Sequence, residues 1–193
     1  MTTRRTPRRP DVTSLELVGG PQPLHVGLEP HDPRWADVYA VHRERIALAL
    51  AGLDVEIEHI GSTSVAGLAA KPIIDLVVAV PDITAEEDYL DALIVAGYEL
   101  RVREPEHRLV RTPSRDVHVH VYERGHRAIA DYLLLRDHLR ADAADRALYQ
   151  GVKEALMQRS WTDSNAYSDA KDDVVAEITE RARSRSAGPR PAP

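Results

Sequence analysis

Glu58-His59-Ile60-Gly61-Ser62-Thr63-Ser64-Val65, followed a few residues on by Lys71-Pro72-Ile73-Ile74-Asp75-Leu76-Val77-Val78-Ala79-Val80, is the stretch on which the reading of this chain turns. Val55 to Ile60 alternates apolar and polar residues, as a half-buried strand does. The Gly61–Ser64 run that follows is a small-residue turn whose amides and hydroxyls suit an anion. Pro72 keeps Lys71 extended. Ile73 to Val80 then reads as a strand buried on both faces, interrupted by a single charge, Asp75. A carboxylate in such a strand is costly unless it is paired or holds a metal. Two readings of Asp75 follow. In one it pairs with Lys71 or an arginine and fixes the strand ends. In the other it holds a divalent ion that bridges phosphates seated on the turn.

Working outward, Asp32 and Pro33 open a helix running to about Ala51, with Trp35, Val38, Tyr39, His42, Ile46, Ala49 and Leu50 on its packing face. Trp35 and His42 read as packing residues. Thr84 and Glu87 have the spacing of a capping box for a second helix ending at Gly97. Tyr98–Arg103, Arg108–Arg111 and Asp116–Tyr122 read as strands, so the sheet is mixed and partly antiparallel. On the last of them Asp116, His118, His120 and Tyr122 share a face. Two histidines at i and i+2 can hold a metal or polarise a phosphate together; the plain alternative is a hydrogen-bonded, partly exposed pair. From Ala128 the chain is helical, with apolar stripes at Ile129, Tyr132, Leu133, Leu135, Leu139 and at Leu148, Val152, Leu156. A final helix capped by Asp163 or Ser164 carries Ala166, Tyr167, Ala170, Val174, Val175 and Ile178. The expected organisation is a tail over 1–23, one domain over 24–180, and a second tail over 181–193, both tails disordered. The fold class is α/β (α+β): a mixed sheet covered by helices, with a helical C-terminal portion.

Composition narrows the function. The net charge of −6 argues against general nucleic-acid binding. With no cysteine, disulfides and thiolate metal sites are excluded. No apolar run reaches membrane-spanning length and no secretory signal is evident, so a cytoplasmic location is expected. Of the 25 basic residues only Lys71, Lys153 and Lys171 are lysines, which makes each of them noticeable.

The string from Glu58 to Asp75 resembles the GrpB-like family of the polymerase-β-like nucleotidyltransferase superfamily. So do Asp32-Pro33-Arg34-Trp35, His118-Val119-His120-Val121, Arg136-Asp137-His138-Leu139-Arg140 and Ala166-Tyr167-Ser168-Asp169-Ala170-Lys171. The resemblance covers roughly Leu28 to Ile178. It implies a nucleotidyltransferase-like fold and transfer of a nucleotidyl group from a nucleoside triphosphate, with Mg2+ or Mn2+, to an acceptor the sequence does not name. Gly61, Ser62, Thr63, Ser64, Lys71, Arg108, Arg136 and Lys171 are then the phosphate-binding candidates, with Arg111 beside Arg108. Asp75, His118 and His120 are the catalytic and metal-ligating ones. For Arg136 and Lys171 the competing reading is a surface ion pair, Arg136 with Asp137 and Lys171 with Asp169 or Asp172. The superfamily's acid-x-acid pattern is broken here, because Val77 stands where the second acid belongs. Glu56 and Glu58 are possible replacements, or solvent-exposed strand residues. Two other functions stay open: a non-catalytic nucleotide- or phosphate-binding module, related to the extra domain of some dephospho-coenzyme A kinases, and a metal-dependent phosphohydrolase using His118 and His120.

Overall fold

The computed structural model describes residues 9–21, 27–161 and 164–187. The described strands are β1 (Glu16–Leu17), β2 (Glu56–Ile60), β3 (Ile74–Val80), β4 (Glu99–Glu104), β5 (His107–Arg111) and β6 (Val117–Glu123). The helices are α1 (Arg34–Ala49), α2 (Glu86–Val95), α3 (Arg127–Ala141), α4 (Ala143–Met157), α5 (Ser164–Asp169) and α6 (Asp172–Ala187), with a 3-10 turn at Ser62–Ser64. The strands form one sheet in the order β1-β4-β5-β6-β3-β2. Only β3 and β6 run parallel; the other neighbours are antiparallel. Among the described residues no helix is long and apolar enough to cross a membrane.

Strand alternation decides what each face carries. Ile74, Leu76, Val78 and Val80 of β3 and Val117, Val119 and Val121 of β6 join Trp35, Ile46, Leu50, Tyr89, Leu90 and Leu93 in the main core, under α1 and α2. Full burial of each aliphatic side chain contributes about 1.5–3 kcal/mol. On the opposite face Ile60, Val77, Ala79 and Tyr122 pack beneath Ile129 of α3. A third cluster joins Val65 and Leu68, just beyond the 3-10 turn, to Leu139, Tyr149, Val174 and Ile178. That cluster lays the C-terminal helices against the turn and so fixes which of their residues reach it.

Several local expectations are corrected. α1 begins at Arg34 with Pro33 as its cap residue, although Asp32 Oδ1 still accepts the Arg34 amide at 2.9 Å. Val38 and Leu148 are exposed, so the apolar stripes are narrower than their spacing suggests. The Thr84–Glu87 capping box does not form. Asp82 Oδ1 instead takes both the Thr84 amide (2.8 Å) and hydroxyl (2.7 Å), and the cap residue is Ala85. The single final helix is two. α6 restarts at Asp172-Asp173, acids that favour a new helix N-terminus, which leaves Lys171 at the corner. Both expected tails carry structure. β1 pairs with β4 and Asp11 bonds Arg108, while α6 continues to Ala187 with Ala182 buried and Arg181 bonded to Asp145. Residues 1–8 and 22–23 of the first tail and 188–193 of the second, together with residues 24–26 and the Asp163 cap, lie outside the described residues.

Candidate functional site

The parallel register pairs Asp75 with His118 and Val77 with His120, all on the face that α3 covers only in part. Asp75 Oδ1 lies 3.7 Å from His118 Nδ1 and 3.8 Å from His120 Nε2, with the carboxylate side chain 28 % exposed. Burial pushes the Asp75 carboxyl up, but the facing His120 and His118 and the charge on Lys171 outweigh it and hold it below the usual carboxylate range. Burial holds His118 down against the pull of Asp75.

On the other side of β3, Ile60 pairs with Asp75, so the next residue, Gly61, is laid against the carboxylate. Gly61 has φ +69°, and a Cβ there would sit 2.5 Å from Asp75 Oδ2. Both facts demand glycine. The turn is held from within. Ser64 Oγ donates to Gly61 O at 2.6 Å, and Thr63 Oγ1 donates to Ile73 O at 3.3 Å and meets His59 Nε2 at 3.1 Å. Arg140 clamps the Ser64 carbonyl through Nε (3.0 Å) and Nη2 (2.9 Å). The Thr63 and Ser64 hydroxyls therefore shape the turn, and the Ser62 hydroxyl is the one that looks outward, to Lys153 Nζ at 3.1 Å.

All three lysines of the chain meet here. Lys71 Nζ lies 3.5 Å above the Tyr167 ring and Lys171 Nζ 4.9 Å from the same ring centre. Lys153 Nζ bonds Ser62 and the Ala69 carbonyl and sits 4.8 Å from the Tyr149 ring. Burial, with the Lys171 charge adding to it, holds Lys71 down to about 8 and Lys153 down to about 7. Burial also lowers Lys171, partly offset by Asp75. Among the described residues no lysine has a carboxylate oxygen within 4.0 Å. The Tyr167 hydroxyl is the one buried side-chain polar atom there without a hydrogen-bond partner. Sequence reading placed Lys71 and Lys171 here but gave Lys153, Tyr149 and Tyr167 no site role.

Two expected phosphate ligands are instead engaged by the protein's own acids. Arg108 pairs in register with Val121 and faces the α1/α2 side. It is 1 % exposed and bound to Asp11 (2.5 Å), Glu86 (2.6 Å) and the Glu104 and His107 carbonyls. Arg136 is taken by Glu58 (2.8 Å), the His59 carbonyl (3.0 Å) and Asp137 (2.7 Å), as its ion-pair reading expected. Arg111 bonds Glu99 at 2.8 Å. Glu58 and Glu56 do not replace the missing acid, because Glu58 serves Arg136 and Glu56 lies 3.2 Å from Arg124. Val77 itself is 1 % exposed inside the cluster under α3.

One pair was missed by sequence reading. His107 Nε2 lies 3.1 Å from His120 Nδ1, and His107 Nδ1 lies 2.6 Å from Glu104 Oε1. Burial and the neighbouring His120 hold His107 down to about 4 against the pull of Glu104. Elsewhere His138, Asp142 and Asp145 bring ligand atoms within 4.8 Å of one another. Those atoms are engaged: Asp145 by His138 and Arg181, Asp142 by Arg185 and the Asp145 amide.

The residues around Asp75 suit a divalent ion only in pairs, and Asp75, His118 and His120 do not bring three ligand atoms within 4.8 Å of one another as His138, Asp142 and Asp145 do. One carboxylate oxygen faces two imidazole nitrogens at separations too long for hydrogen bonds, yet short enough for two bonds of about 2.0–2.2 Å to one ion to span.

The model of the family described as "GrpB protein" matches residues 25–181. The chain belongs to the GrpB family. It is 67 % identical over 182 residues to the UPF0157 protein SCO7215 of Streptomyces coelicolor, covering 94 % of this chain and 97 % of that one. The crystal structure of conserved protein GrpB from Enterococcus faecalis superposes with TM-score 0.73 at 28 % identity, over 84 % of this chain and all of that one. The Cid1 poly(U) polymerase with MgGTP bound matches at TM-score 0.50 and 20 % identity, over 68 % of this chain and 45 % of that one. The fold of this GrpB protein is thus nucleotidyltransferase-like.

Proposed function

We propose that this protein binds a nucleoside triphosphate with a divalent ion and transfers its nucleotidyl group to an acceptor. The observation that carries this is convergence in a nucleotidyltransferase-like fold: Asp75 faces His118 and His120, and it also feels the charges of Lys71 and Lys171, which gather with Lys153 and Ser62 around Tyr149 and Tyr167. The β- and γ-phosphates take the Ser62 hydroxyl and the amides of the turn, and Lys71, Lys153 and Lys171 neutralise them. Asp75, with His118 or with His120, would hold the ion, which supplies charge neutralisation at the α-phosphate. An acceptor oxygen forms its bond to the α-phosphorus, the bond to the bridging oxygen breaks, and pyrophosphate leaves. Gly61 lets the turn come against Asp75, so that phosphates and ion share one place.

A non-catalytic nucleotide-binding module, tied to nucleotide or coenzyme A metabolism, is the second reading. The buried Val77 favours it, since transfer in this superfamily calls on an acid at that position. The two are separated by incubating the protein with each of the four ribonucleoside triphosphates and Mg2+ or Mn2+, measuring binding and pyrophosphate independently. Transfer requires pyrophosphate that vanishes in Asp75→Asn. Binding without pyrophosphate for any triphosphate leaves the module, and release of orthophosphate alone points to hydrolysis.

A further inference from the structure

Ser62 differs from the two hydroxyl residues that follow it. Thr63 gives its proton to the Ile73 carbonyl at 3.3 Å, and Ser64 gives its proton to the Gly61 carbonyl at 2.6 Å. Each of those protons is spent on holding the turn. The half-buried Ser62 meets a nitrogen instead, Lys153 Nζ at 3.1 Å, and the Tyr149 hydroxyl is also hydrogen-bonded to it. Tyr149 and Lys153 stand four residues apart on α4, so one face of that helix delivers both to the serine.

Lys153 is placed to take the Ser62 proton. It is 2 % exposed, and burial together with the charge of Lys171 holds it down to about 7 against the pull of Glu154. A neutral amine keeps two N–H bonds and one lone pair. One N–H goes to the Ala69 carbonyl, which orients the amine, and the lone pair then accepts the Ser62 O–H. The Tyr149 hydroxyl donates to Ser62 Oγ, because the serine proton is already directed at the amine. A hydroxyl within reach of a base, with the base oriented by a third group, is the arrangement of an activated nucleophile. Its surroundings select the electrophile. Lys71 and Lys171 lie by the Tyr167 ring, and the charge of Lys171 reaches both Lys71 and Lys153. Cations not met by the protein's own acids suit a polyanion.

We propose that Ser62 is a phosphoryl acceptor: with Lys153 as general base it takes the terminal phosphoryl group of a nucleoside triphosphate, and the phosphoserine so formed shuts the site that made it. The Ser62 oxygen bonds to the γ-phosphorus, the bond from that phosphorus to the β–γ bridging oxygen breaks, and the nucleoside diphosphate leaves. The Ser62 proton passes to Lys153 Nζ, which leaves an ammonium beside the new phosphate. That phosphate then stands where the next triphosphate would have to bind. This role for Ser62 rests on the phosphate-binding part of the reading above and not on nucleotidyl transfer.

The test is incubation of the full chain with each of the four ribonucleoside triphosphates and Mg2+ or Mn2+, read by intact mass and by fragmentation of the peptide that carries Ser62. A gain of one phosphoryl group on Ser62, matched by nucleoside diphosphate, is expected with at least one of them, and Ser62→Ala should abolish it. Lys153→Arg keeps a cation that cannot act as a base, and should slow the gain by about 100-fold. The phosphorylated protein should bind inorganic triphosphate about tenfold more weakly than the same protein before incubation. No gain with any triphosphate, or a phosphoryl group on Thr63, Ser64 or another residue, overturns the acceptor role, and that reading needs no variant to fold. A wild-type rate in Lys153→Arg overturns the base, and unchanged triphosphate binding overturns the closure. A nucleotidyl group on Ser62 in place of a phosphoryl group overturns this role in favour of transfer. Pyrophosphate release without phosphoserine would sink only this role, and phosphoserine without pyrophosphate would sink only the transfer reading.

Discussion

Arg108 and Lys153 are both buried cations, 1 % and 2 % exposed, and they are built in opposite ways. Arg108 is closed by two carboxylates and two carbonyls from Asp11, Glu86, Glu104 and His107. Lys153 has a hydroxyl and a carbonyl, with the Tyr149 ring and another lysine nearby, and no acid within 4.0 Å among the described residues. The same division runs through other cations of the chain. Arg103, Arg124, Arg136 and Arg181 each meet carboxylates, whereas the lysines gather around Tyr149 and Tyr167. A guanidinium fork suits fixed, many-bonded structure, and an ammonium is a movable point charge. These arginines are met by the fold's own acids, and among the described residues the lysines are not.

The largest effect that would break this contrast is on stability. Arg108→Ala should cost about 3–5 kcal/mol in urea unfolding, because Asp11 and Glu86 lose a buried partner. A loss below about 1 kcal/mol would mean that Arg108 is no more structural than the lysines. Next come Lys71→Met and Lys171→Met. Each should weaken inorganic triphosphate binding by about tenfold, or about 1.4 kcal/mol, while the melting temperature holds or rises. A fall in melting temperature with binding intact would make them structural after all.

The pH dependence sharpens the contrast further. Lys153 sits near 7 in the folded state and 10.5 is its ordinary value. Between the two the unfolded chain binds one more proton than the folded one, so stability rises with pH. From about pH 7 to about pH 10 unfolding free energy should climb by at most about 1.4 kcal/mol per pH unit from this group, with Lys71 adding from about 8. Triphosphate affinity should fall over the same range. Lys153→Met should flatten the stability slope, and an unchanged slope would place the titration elsewhere. The smallest effect belongs to the surface: Arg127→Ala breaks an exposed i,i+4 pair with Asp131 and should leave stability within about 0.5 kcal/mol.

What could be read from the sequence follows from these distinctions. Asp75 was legible because an acid in an apolar strand has few explanations, and period-two alternation put His118 and His120 on one face before the register joined them to it. The family strings made the mixed sheet legible as well. Arg108 was misplaced because membership of a strand near the site says nothing about the face. Its register partner is Val121, while His107, one residue earlier, pairs with Tyr122 on the site side. A one-residue step reverses the side of a sheet. His107 falls outside the strand read over Arg108–Arg111, because the hairpin closes earlier, on Glu106 at φ 63°. Lys153 stood out only by its rarity. Its place depends on how α4 rolls against Val65 and Leu68, and helical periodicity does not encode which neighbour a face meets.

Gly61 leaves no room for even one more carbon beside the Asp75 carboxylate. Loop and acid are therefore in gear: whatever pushes the one is transmitted to the other without slack. On the reading proposed above, an anion that settles on the Ser62 side is felt at Asp75 by contact alone, so what occupies one place sets the shape of the other.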